Sequence, residues 1–148
     1  MLRALAGVYR ASLGASRARA YLERALAIQR NALGSDEHPD IADTLVELAS
    51  VIADGGDLDG AQALLERALA TQQKVFGDDG QLDGATTRRE LATVFTAKGD
   101  LVGAIEHLER ALTTLRRIFE RDDHSEIAAT LRELERLQGL QREVQRSD

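Results

Sequence analysis

Cysteine and tryptophan are absent from this 148-residue chain, and proline occurs once, at Pro39. Without cysteine there is no disulfide, no thiolate metal site and no cysteine nucleophile, and the redox compartment stays undefined. The aromatic residues, Tyr9, Tyr21, Phe76, Phe95 and Phe119, are too few to supply a platform for stacking nucleic-acid bases. Basic charge is in deficit: 19 Lys and Arg face 25 Asp and Glu, and the formal charge of −6 opposes non-specific binding to nucleic acid. No run approaches the ~20 apolar residues that span a bilayer. The period-2 alternation of a strand is missing as well. What remains is 43% hydrophobic and 30% charged residues, ordinary for a helical protein with a cytoplasmic location expected. Arginine outnumbers lysine 17 to 2, a bias common in high-GC bacterial genomes.

What is present is repetition. Leu-Glu-Arg-Ala-Leu occurs at Leu22–Leu26, Leu65–Leu69 and Leu108–Leu112, each copy 43 residues after the last. The same shift aligns Ala18, Ala61 and Ala104 ahead of the phrase, and Leu33, Phe76 and Phe119 behind it. A sustained period in the range of ~20–50 residues signals stacked units, none of which buries its apolar face alone. Met1 to Leu22 has the arginine-rich, acid-free balance of a transit peptide. The register nevertheless reaches into it, placing Leu5, Ala6 and Tyr9 on Leu48, Ala49 and Ile52, so the segment is read as the first helix of the array.

Helical spacing of the apolar residues predicts seven helices. They run over about 2–12, 17–33, 39–54, 58–76, 82–98, 101–119 and 125–145. Predicted turns lie at Leu13-Gly14-Ala15-Ser16, Gly55-Gly56-Asp57 and Gly99-Asp100, with Gly34 and Gly77 as stops between pairs. The units then cover about 1–34, 35–77 and 78–120 of a single domain. The last helix, about 124–145, carries Glu135 where earlier units have Ala6, Ala49 and Ala92, and is read as a solvating cap.

Within each period, Leu-Ala and then Tyr9, Ile52 or Phe95 on one helix face Ala, Leu and Ala on the next. Alanines at such contacts let helix axes approach while large residues fill the adjoining holes. This order resembles the tetratricopeptide repeat, and the period of 43 is similar to its kinesin-light-chain type. The stretch carrying the likeness is Leu33-Gly34, His38-Pro39-Asp40-Ile41-Ala42, Leu45, Leu48-Ala49, Gly56-Asp57, Ala61 and Leu65–Leu69. The resemblance implies an all-α, right-handed superhelical array of antiparallel helix pairs, covering about Leu2 to Leu137. In function it implies a non-enzymatic adaptor or scaffold for protein partners, filament-decorating proteins among them, with no cofactor, no nucleic acid and no membrane involved.

The residues offer little chemistry. His38 and His124 lie in links between helices beside Asp36-Glu37 and Asp122-Asp123, where short acidic residues serve as caps. The third copy, Asp78-Asp79-Gly80-Gln81, keeps the acids and loses the histidine. His107 aligns with Tyr21 and Leu64 and reads as a packing residue. Neither a catalytic set nor a metal set is expected.

The resemblance implies that the first helix of each pair lines a concave groove. That face holds Arg3, Gly7 and Arg10, then Asp43, Val46, Ser50 and Asp54, then Thr86, Arg89, Thr93 and Thr96, and finally Arg132, Arg136 and Gly139. Five arginines against two aspartates predict a basic groove for an acidic peptide or protein surface, since arginine suits bidentate carboxylate recognition. The expected contacts are Arg89, Arg132, Arg136, Thr93, Ser50, Arg10 and Arg3, with Arg88, which stands between core positions Leu45 and Leu131 in the register, as a further charge. A second reading is self-association through the array ends, with Leu2, Leu5 and Val8 on the first helix forming a homo-oligomer.

Overall fold

A computed structural model describes residues 2–77, 81–121 and 123–148, with residues 2–10 described by backbone alone. Among the described residues all regular structure is helical: α1 (Leu2–Leu33), α2 (Pro39–Asp54), α3 (Leu58–Phe76), α4 (Leu82–Ala97), α5 (Leu101–Phe119) and α6 (Ser125–Ser147). None of these helices is long and apolar enough to cross a membrane. Chain neighbours are packing neighbours. The helices pair as α2 with α3 and α4 with α5, and α1, α3 and α5 carry the contacts onto α2, α4 and α6.

Six helices stand among the described residues where seven were expected, because the first two are one continuous helix. The later turns show what the first lacks. Gly56 and Gly99 take φ of 95° and 84°, a region open to glycine and costly for other residues. The following amides close each helix end, Asp57 N donating to Ile52 O at 3.0 Å and Asp100 N to Phe95 O at 2.8 Å. The same aspartates start the next helix, their Oδ1 atoms accepting from Gly60 N and Gly103 N at 2.9 Å. A Cβ at Gly60 would lie 2.4 Å from Asp57 Oδ2, and one at Gly103 would lie 2.8 Å from Asp100 Oδ2. The corresponding residues of the first unit are Leu13, Gly14, Ala15, Ser16 and Arg17. Leucine stands at the positive-φ position, the capping aspartate is missing, and arginine occupies the glycine site. Nothing stops the helix, and it runs through.

Elsewhere the alternation of small and large residues packs as its spacing predicts. Ala61 and Ala68 are fully buried around Leu65, and Ala104 and Ala111 around Leu108. The junctions between units carry a second repeated feature. The Thr44 hydroxyl lies 2.8 Å from Gln29 Oε1 and 3.1 Å from Asp40 O; the Thr87 hydroxyl lies 2.9 Å from Gln72 Oε1 and 3.0 Å from Asp83 O. At the third junction Leu115 replaces the glutamine, and Thr130 donates only to Glu126 O at 2.8 Å.

Candidate protein-interaction surface

The links ahead of α2 and α6 are fixed by histidine. His38 Nδ1 accepts from Asp40 N at 3.1 Å, and His124 Nδ1 from Glu126 N at 3.2 Å, each serving as the N-cap of α2 or α6. Acting as acceptor at Nδ1 places the imidazole proton on Nε2. The expectation that acids cap these helices is corrected here: the histidines do so, and His124 also stacks on Phe119 with ring centroids 3.6 Å apart. Gln81 at the start of α4 makes no such bond. Asp78, Asp79, Gly80 and Asp122 lie outside the described residues.

Helices α2, α4 and α6 turn equivalent positions outward. Arg89, Thr93, Thr86 and Glu90 on α4, with Ala129 and Glu133 on α6, line a cavity of about 400 Å³. Arg89, partly exposed, pairs with Glu126. Thr93 is exposed and donates to Arg89 O at 3.1 Å, which leaves its oxygen lone pairs for a ligand. Arg136 is clamped by Glu133 through bonds of 3.1 and 2.6 Å, and the arginine holds the Glu133 carboxyl below its ordinary range. Arg132 and Ser50 are both exposed on the surface.

One expected contact is placed differently, and two others fall where side chains are not described. Arg88 is buried, only 7% exposed, beside a crevice with Gln81, Gly84 and Thr114; it lies within the array and not on the outward face. The side chains of Arg3 and Arg10 lie outside the described residues, and their backbone belongs to the continuous α1, which forms no hairpin.

The charge of the face also differs from the count of arginines. Glu47, Glu90 and Glu133 are spaced by 43 residues and form a ladder of carboxylates along it. Asp43 sits near the top of that ladder, its carboxyl raised above the ordinary value by burial and then by the charges of Asp83, Asp40 and Glu47. Asp43, Val46 and Glu47 with Asp83 and Thr86 line a second hollow of about 310 Å³. The face therefore runs from acidic at α2, through mixed at α4, to arginine-bearing at α6. The 43-residue register contained this signal, since Val46, Arg89 and Arg132 form the neighbouring column. Counting arginines alone missed it.

The description "Tetratricopeptide repeat" is given by two family models, one matching residues 40–117 and the other residues 1–40. The chain belongs to the tetratricopeptide repeat family. Among solved structures, this tetratricopeptide array is similar to a Podosopora anserina putative kinesin light chain with nearly identical TPR-like repeats. That likeness has 29% identity and a TM-score of 0.79 over 96% of this chain and 66% of the other. A second structure of the same protein, carrying one substitution, gives 29% and 0.75, over 90% and 61%. BtubC (BKLC) from P. vanneervenii, at 22% identity, shares the fold with a TM-score of 0.77 over 90% of this chain and 52% of that one. The chain thus spans two thirds or less of the length of these structures. A search of curated proteins finds no match. Tetratricopeptide repeats generally mediate protein–protein interaction.

Proposed function

We propose that this array is a non-enzymatic adaptor that holds a segment of a partner protein along the face of α2, α4 and α6. The observation that carries the reading is the cavity of about 400 Å³ in which Arg89, Thr93 and Glu133 meet. An acidic group of the partner enters at the α6 end, where Arg132 reaches the surface and Arg89 and Arg136 exchange Glu126 and Glu133 for the ligand. Such an exchange swaps one ion pair for another, so it adds selectivity more than affinity. The glutamate ladder then sets the direction of the partner, favouring basic groups toward Asp43 and Glu47. A filament subunit with a charged surface segment is one partner class of this kind.

Fluorescence anisotropy with labelled peptides of defined charge order provides the test. A peptide carrying acidic residues at one end and basic residues at the other is expected to bind, and a triple change of Arg89, Arg132 and Arg136 to glutamate abolishes that binding at moderate salt while leaving helicity intact. Undiminished affinity in the triple variant moves the interaction off this face.

A second reading, self-association, is favoured by the open side of α1. Tyr21 and Ile28 are 74% and 65% exposed and, with Ala20, Ala25, Arg17 and Arg24, line a largely apolar hollow of about 460 Å³. Sedimentation of the purified chain across a range of concentrations tests it, a mass fixed at one chain throughout being the contrary result.

A further inference from the structure

The open side of α1 is where the first unit's own partner helix belongs. In the second unit the residues equivalent to Ala18, Leu22, Ala25 and Ile28 are Ala61, Leu65, Ala68 and Thr71; in the third they are Ala104, Leu108, Ala111 and Thr114. All eight are buried, with α2 or α4 lying against them. In α1 the first three are half-buried, and Ile28 is open. The helix that should cover them is encoded in the same chain. Residues 2–12 repeat the register of α2 and α4, with Leu5, Ala6 and Tyr9 at the positions of Leu48, Ala49 and Ile52, and the family match over residues 1–40 takes in both halves as a repeat. Yet residues 2–12 run straight on from 17–33, and the turn that would fold them back lacks its glycine, its aspartate and its second glycine.

On this basis, and resting on the self-association reading, we infer that the occupant of the open face is residues 2–12 of a second copy of the chain. Two arrays exchange these arms, each arm covering residues 17–33 of the other. The contact is isologous, so two copies close it and no filament results. A missing turn is what favours exchange over closure, because the helix stays unbroken in the exchanged pair and must be broken at Leu13 in the closed one. The area is sufficient. Tyr9 and Tyr21 of both copies contribute roughly 150–250 Å² each, and with Leu5, Leu22 and Ile28 the pair passes the ~1,200 Å² at which stable interfaces begin. The register sets apolar Leu5, Ala6 and Tyr9 against Ala18, Leu22, Ala25 and Ile28, and Arg24, which also lines the hollow, has its counterparts in the exposed Arg67 and Arg110.

Analytical ultracentrifugation of the full chain tests this in three steps. The unaltered chain is expected to show a concentration-dependent dimer. Leu5→Asp, on the arm, and Ile28→Asp, on the exposed face, are each expected to weaken it by ~100-fold or more, with helicity by circular dichroism unchanged. Mixing the two variants restores a dimer through the one arm and one face that remain intact, a complementation specific to exchange. The turn graft Leu13→Gly, Gly14→Asp, Ala15→Leu, Ser16→Val and Arg17→Gly, which copies positions 99–103, is expected to close the hairpin within each chain and yield a monomer. A dimer that survives both aspartate variants, or one that fails to reappear on mixing them, overturns the exchange and leaves self-association by another face standing. An unaltered chain that stays monomeric at every concentration overturns both.

Discussion

The first unit and the two that follow carry the same register, and only the later two fold into hairpins. The phrase Leu22–Leu26 is identical to Leu65–Leu69 and Leu108–Leu112. Leu65 and Leu108 are nonetheless 2% exposed and Leu22 is half-buried. The contrast separates two kinds of information. Apolar periodicity says which faces want to be covered; a handful of turn residues says whether the covering helix can return to do it. Five positions, 13–17, decide the outcome against the pattern of the rest of the unit.

The largest expected effect probes what a closed contact tolerates. Ala49 is fully buried, and Ala49→Glu should place an unpaired charge in the helix contact at a cost of ~3–5 kcal/mol. Its register mate Glu135 is exposed on α6, and Glu135→Ala should change stability by no more than ~0.5 kcal/mol. Thermal melts of the two variants check this, and equal melting temperatures would show that α6 is covered like the others. Next in size, Leu65→Ala should cost ~2–5 kcal/mol through the cavity it leaves, and Leu22→Ala less than half as much in dilute solution. If the two denature at the same urea concentration, the first unit is as closed as the second, and the contrast between them fails.

The smallest effect belongs to His107, which stands where the other units have Tyr21 and Leu64. It stacks on Phe95 with centroids 5.2 Å apart, and its Nδ1 is buried with no hydrogen-bond partner. Burial, and then the charge of Arg88, lowers its pKa from the ordinary 6.5. The unfolded chain therefore takes up a proton as pH falls through about 6.5 while the folded chain resists it, so stability is full above that pH and declines below it, levelling once the folded group also titrates. Melting temperatures followed from neutral to mildly acid pH should show this decline, and His107→Leu should lessen it. A slope unchanged by the substitution assigns the acid sensitivity to another group.

Much of the architecture was legible because helix contacts repeat. Ala61, Leu65 and Ala68 recur as Ala104, Leu108 and Ala111, and spacing alone marks them as core. The fused α1 was not legible from apolar spacing, since Gly14 resembled a turn while lying one position after the site where positive φ is needed. His38 and His124 were hidden by their acidic neighbours, which looked like better caps. The interaction face was half legible. Arg89, Thr93 and Arg132 lie on it, but Glu47, Glu90 and Glu133 went uncounted, and burial of Arg88 became visible only once α4 and α5 were packed.

The glutamine–threonine contacts at two of the three junctions bear on how the array resists force. Gln29 with Thr44 and Gln72 with Thr87 are short polar contacts that must break together when one helix slides past the next, whereas the third junction has Leu115 in the glutamine's place and its Thr130 bonds back to Glu126 within α6. Hydrogen bonds are brittle over a fraction of an ångström, and hydrophobic contact gives way gradually. Pulled from its two ends in an optical trap, the chain is expected to release α6 first and softly. The α3–α4 seam should rupture later and abruptly, a difference that Gln72→Leu should erase.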